Sequence, residues 1–168
     1  MRQKSFLLAA IWCGLAAPAV AQVEVLSEQN GWSVLRSFNP ENGVTWCSMQ
    51  TWNELGMKFA FNGSDTRHAS LLFLHDDFDF DERQLPMTVS IDDAVWSFDM
   101  LLQGSSMLAN LRDNPQSDDL MDALSLGRTL SVQHANGGPD FSWSLAGIDA
   151  PFRQVLECWA EAVEARPE

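Results

Sequence analysis

Met87-Thr88-Val89-Ser90-Ile91, then Asp92-Asp93, then Ala94-Val95-Trp96-Ser97-Phe98-Asp99-Met100: two runs in which apolar and polar side chains alternate, joined by a pair of aspartates. A period of two is the strand period, so each run places one row of side chains in a core and the other in water. Two such runs around a short acidic turn predict an antiparallel hairpin.

The same alternation recurs on either side. Trp32 to Arg36 follows the turn pair Asn30-Gly31, and Asn39-Pro40-Glu41-Asn42-Gly43 separates it from Val44 to Trp52. In that second run Cys47 and Met49 share one face, while Trp46 and Trp52 lie on the other. Gly56 to Phe61 reads as a strand and Asn62 to Asp65 as a turn. Ala69 to His75 is a mostly apolar run suited to a central strand, and Arg128 to His134 pairs with Asp140 to Leu145 across the loop Ala135–Pro139.

Two segments break the pattern. Ser117 is placed to cap a helix over 118–126, with acids in its first turn and Gly127 just beyond its end. Asp149 is placed to cap a final helix, with Pro151 tolerated in its first turn. Phe152, Val155, Leu156, Trp159 and Val163 recur there at helical spacing, and Cys158 borders that apolar face. The expected fold is mainly β: an antiparallel β-sandwich or bent sheet of about seven or eight strands, with a short helix near 118–126 and a C-terminal amphipathic helix.

The N-terminus reads differently. Arg2 and Lys4 precede the apolar stretch Ser5 to Ala17, and Pro18 is followed by the small-x-small site Ala19-Val20-Ala21. This order is that of a secretory signal peptide over 1–21, and the stretch is too short for a membrane span. Trp12 ahead of Cys13 argues against a lipoprotein signal. The expectation is a single β-rich domain over 22–168, periplasmic or secreted, with no transmembrane segment once the signal is removed.

The chain carries a net charge of −13, and removal of Arg2 and Lys4 with the signal takes it to −15. So negative a surface repels phosphate backbones, which excludes electrostatic nucleic-acid binding and favours cationic partners. Only Cys47 and Cys158 remain beyond the signal. In an oxidising compartment such a pair predicts one disulfide, and its wide spacing does not fit a redox motif.

Candidate chemistry is sparse. Asp77, Asp79 and Asp81 match the opening of a calcium loop. Glu82 then stands where a sharp turn needs glycine, and Thr88 where a bidentate glutamate should close the site. In a strand the three aspartates would line a solvated face with Phe78 and Phe80 opposite, and that reading is preferred. His68, His75 and His134 lack the spacing of a metal pair, and no nucleophile motif accompanies the serines. No catalytic residue, metal ligand or cofactor is therefore assigned. Trp46 and Trp52, opposite Cys47, are the candidate binding residues, suited to stacking on a sugar ring or anchoring a partner protein.

Gly31-Trp32-Ser33-Val34, Cys47-Ser48-Met49, Leu120 to Gly127 and Phe141-Ser142-Trp143-Ser144-Leu145-Ala146-Gly147 follow one another in that order. This layout resembles the invasion-associated locus B family of small periplasmic bacterial proteins, although that family usually carries further mid-chain cysteines. The resemblance implies a β-rich, non-enzymatic envelope protein with no catalytic residues to carry over. The function expected is a non-catalytic secreted or periplasmic binding protein with a protein or glycan partner. The alternatives are a small envelope hydrolase and an acidic inhibitor of a basic enzyme such as lysozyme.

Overall fold

The computed structural model describes residues 22–112, 114–135 and 140–166. The expected signal over 1–21 and most of the expected loop Ala135–Pro139 lie outside the described residues.

Among the described residues, ten strands form one open, wholly antiparallel sheet: β1 (Gln22–Gln29), β2 (Trp32–Asn39), β3 (Val44–Trp52), β4 (Lys58–Ser64), β5 (Ala69–Leu74), β6 (Phe80–Ile91), β7 (Ala94–Gly104), β8 (Ser106–Asn110), β9 (Thr129–His134) and β10 (Asp140–Ser144). Their spatial order is β1-β2-β3-β4-β5-β8-β7-β6-β9-β10. The described residues also form two helices, α1 (Ser117–Leu126) and α2 (Asp149–Ala165). The mainly β, bent-sheet expectation holds, with more strands than the alternation indicated.

The hairpin at 87–100 forms as read. Val89 lies opposite Trp96 and Met87 opposite Phe98, all buried. Asp92 turns the chain at φ 50°, a left-handed conformation that aspartate tolerates. Its carboxylate accepts the backbone N–H groups of Arg128 and Thr129, which ties the turn to the start of β9.

The register places one residue set on the inner face across the whole sheet. Val34, Met49, Phe61 and Leu71 follow one another from β2 to β5, as do Val132, Val89 and Trp96 from β9 to β7. All of them are buried. One sheet can enclose so many inward residues only by bending over itself. Trp143 of β10 accordingly lies against Phe59 of β4 and Phe73 of β5, with ring centroids 6.1 and 5.2 Å apart. Three hydrogen bonds, rather than a strand ladder, make this seam. Trp143 Nε1 donates to the Met57 carbonyl at 3.0 Å, Trp32 Nε1 to the Ala146 carbonyl at 3.1 Å and Asn53 Nδ2 to the Ser142 carbonyl at 3.1 Å.

Helix α2 packs on β2, β3 and β4, while α1 buries Leu120 and Leu124 in the same core. Phe152 and Trp159 each stand 6.0 Å from the Phe61 ring. Cys158 lies within this contact rather than at its border, and it forms the disulfide with Cys47 at a Cα separation of 5.9 Å. Arg36 Nη2 donates to Glu161 at 2.7 Å, and Arg166 Nη1 to the buried Asp65 at 2.6 Å, so ion pairs flank the apolar contact.

Several local expectations need correction. Neither helix has a side-chain cap: Ser117 Oγ donates instead to the Leu111 carbonyl, and Asp149 is already inside the first turn of α2. Asn62 and Gly63 are not in a turn; β4 runs through them to Ser64. Gly63 faces Trp159, and a Cβ there would lie 2.5 Å from the indole. The glycine marks a close approach of backbone to aromatic ring, the other meaning of an isolated glycine in a strand.

The indole cannot easily retreat, because its Nε1 donates to the Ser64 carbonyl at 2.7 Å and its neighbour Cys158 is tethered to β3. Gly63→Ala is therefore expected to destabilise the domain by about 3 kcal/mol, the upper end of ordinary overpacking. Urea unfolding with an unchanged slope checks it. A loss below 1 kcal/mol would mean that Trp159 swings aside freely.

Candidate functional site

The two tryptophans singled out by sequence do share the outer face of β3, as alternation requires, but they do not share a site. They are six positions apart, roughly 20 Å along the strand. Trp46 is half-buried, with its ring edge-on to His68 at 5.8 Å. Trp52, at the end of β3, is 51% exposed.

Trp52 stands where the β3–β4 turn meets the edge of β10. Asn53 organises that turn: its Oδ1 accepts the N–H groups of Leu55 and Met57 at 3.0 and 2.9 Å, while its Nδ2 reaches across the seam to β10. Gly56 supplies the left-handed residue the turn requires, at φ 76°. His75 braces the turn from the other side. Its Nδ1 accepts the Asp77 N–H at 3.2 Å, which leaves Nε2 as the donor to the Leu55 carbonyl at 3.1 Å. Trp52 is thus presented by a turn held on two sides.

Between this turn and β10 lies a groove of about 550 Å³, with Trp52, Glu54, Asp140, Ser142 and Ser144 among its lining residues. Its volume falls within the range of small-molecule sites, roughly 300–1,000 Å³. It offers one large aromatic surface flanked by hydroxyls and carboxylates. Glu54 and Asp140 are both exposed, and neither is oriented by a hydrogen bond or ion pair from a described residue. They can accept hydrogen bonds from a ligand, but nothing holds them as a positioned acid and base.

The acidic segment after β5 lies at the same end of the molecule. Asp77, Asp79 and Asp81 are exposed, while Phe78 and Phe80 turn inward, 4.9 Å apart, with Phe78 also 5.8 Å from Phe141. This matches the in–out alternation rather than a calcium loop. Strand structure starts only at Phe80, so Asp77 and Asp79 precede it. Among the described residues, no three His, Cys, Asp or Glu side chains converge in a way that could hold a metal ion. No described helix is long and apolar enough to cross a membrane.

Sequence reading missed Glu54, Asp140, Ser142 and Ser144 as companions of Trp52. They lie up to about ninety positions away, and only the bend of the sheet unites them. Comparison with family models, curated proteins and solved structures finds no match for the chain.

Proposed function

We propose that this domain is a non-catalytic binding protein of the bacterial envelope and that it holds an uncharged saccharide in the groove beside Trp52. The observation that carries the reading is Trp52 itself: a half-exposed indole beside a doubly braced turn, at the rim of a groove that also presents the hydroxyls of Ser142 and Ser144, the carboxylates of Glu54 and Asp140 and the apolar side chains of Leu55 and Ala146. An indole face covers the C–H face of a sugar ring, and the flanking oxygens receive its hydroxyls. The carboxylates of Glu54 and Asp140 disfavour anionic glycans. The resemblance to the invasion-associated locus B family and the expected export signal point to the same class of protein.

Titration with chitotriose and maltotriose, followed by Trp fluorescence and ligand-observed NMR, tests the reading. One of the two is expected to bind at all salt concentrations, and Trp52→Ala to weaken it by at least about tenfold without loss of fold. Equal binding by Trp52→Ala, or no binding of either sugar, overturns it. Cleavage of the sugar that is lost in Glu54→Gln would instead establish the hydrolase. Salt-sensitive capture of lysozyme with no sugar binding would establish the inhibitor.

A further inference from the structure

The two edges of the sheet differ. β10 is held along the seam, where Asn53 Nδ2 donates to the Ser142 carbonyl and Trp143 Nε1 to the Met57 carbonyl. Among the described residues, β1 pairs with β2 alone. The C-terminal half of β1 is protected by the bulge between Val25 and Ser27 and by Ser27 Oγ, which donates to Gln154 Oε1 of α2. Its N-terminal half, Gln22 to Val25, has no bulge. All four of these residues are exposed, Val23 at 62% and Val25 at 55%. An edge strand turns a row of N–H and C=O groups outward, ready to pair with another chain.

The register continues this edge into an apolar patch. Val25 lies opposite Leu35, and Val23 opposite Ser37, whose other neighbour is Trp46. Leu35 and Trp46 are half-buried on the same outer face, so apolar side chains run from the edge to β3. Glu24 lies between the two valines on the other face. The residue opposite it is Arg36, whose guanidinium is engaged by Glu161. Glu24 therefore presents a carboxylate with no ion pair to a described residue. Two apolar positions around one carboxylate define what the edge can accept: a strand with apolar side chains on one face and a cation on the other.

We propose that β1 accepts an extended peptide segment of another protein, antiparallel to Gln22–Val25, with β-branched apolar residues opposite Val23 and Val25 and a lysine or arginine opposite Glu24. Main-chain hydrogen bonds supply the affinity of such strand addition, and cross-strand side-chain pairs supply the choice of partner. A second copy of this chain fits poorly. The antiparallel self-pairing that sets Val23 against Val25 also sets Glu24 against Glu24, and like charges directly opposite are destabilising. The net charge of −13 on each copy adds to that repulsion and favours a basic strand. The edge lies at the Trp46 end of β3, away from the Trp52 groove, so each reading stands or falls without the other.

The probe is a blocked peptide of sequence threonine–valine–lysine–valine–threonine, titrated into the intact protein and followed by amide NMR. It is expected to shift the amides of Val23, Glu24 and Val25 saturably. The same peptide with glutamate in place of lysine should bind about fivefold more weakly, as one cross-strand pair changes from attraction to repulsion. Glu24→Lys should reverse that preference and, at an exposed position, leave circular dichroism unchanged. Methylating the three central amide nitrogens of the peptide keeps its charge and removes its backbone donors, and should abolish the shifts. No response to the lysine peptide, equal binding of the methylated peptide, or an unreversed preference in Glu24→Lys overturns the proposal. Concentration-dependent shifts of the same amides without peptide, with dimers in sedimentation, would overturn it in favour of a second copy.

Discussion

Trp143→Ala is expected to destabilise the domain by about 3–5 kcal/mol, a large part of the total for a domain of this size. The indole is 1% exposed and touches Phe59 and Phe73 across the seam. Its removal leaves a cavity between two strands that no ladder joins, so the walls have little means of collapsing together. Trp143→Phe separates ring from hydrogen bond. It keeps most of the aromatic volume and loses only the Nε1 contact to the Met57 carbonyl, which retains the Asn53 N–H as a donor. Its cost should be about 1–2 kcal/mol. Chemical denaturation of both variants checks the pair. A loss below 1 kcal/mol in Trp143→Ala would show that the seam is not what keeps the sheet bent.

Loss of the disulfide ranks next. Cys47 and Cys158 are 111 positions apart, so the bridge constrains a long loop in the unfolded chain, worth about 5 kcal/mol as an upper value from chain entropy. Cys158→Ser is expected to cost about 2–4 kcal/mol in urea unfolding, because measured effects fall below that value. Helix α2 stays docked through Phe152, Val155 and the Trp159–Ser64 bond, with raised amide exchange along its length. Thiol counting on oxidised protein should find no free thiol at these two positions. Two free thiols there would remove the bridge from the account.

The bridge was legible in the sequence because strand alternation placed Cys47 beside the inward Met49 and helical spacing placed Cys158 near an inward stripe. Those are local signals, and they survive folding. Strand β1 was not legible. It has a bulge between Val25 and Ser27, which interrupts the period, and Val23 and Val25 face solvent. Strand β8 is only five residues long and follows β7 after a single residue, so its own period hardly registers. Alternation put Trp46 and Trp52 on one face correctly. It carried no information on which was sheltered, since that depends on His68 for one and on the distant β10 for the other.

The cover over β2, β3 and β4 is the last helix of the chain, and the strand that closes the seam comes just before it. A chain delivered N-terminus first can pair β1 through β5 by neighbouring turns as soon as they emerge. Val34, Cys47, Met49 and Phe61 then stay bare until residues 149–165 arrive. Such sheets gain cooperativity only when their most distant contacts close, which makes completion slow compared with the pairing of neighbours. The order of the elements therefore postpones the finished structure until the last helix is in place.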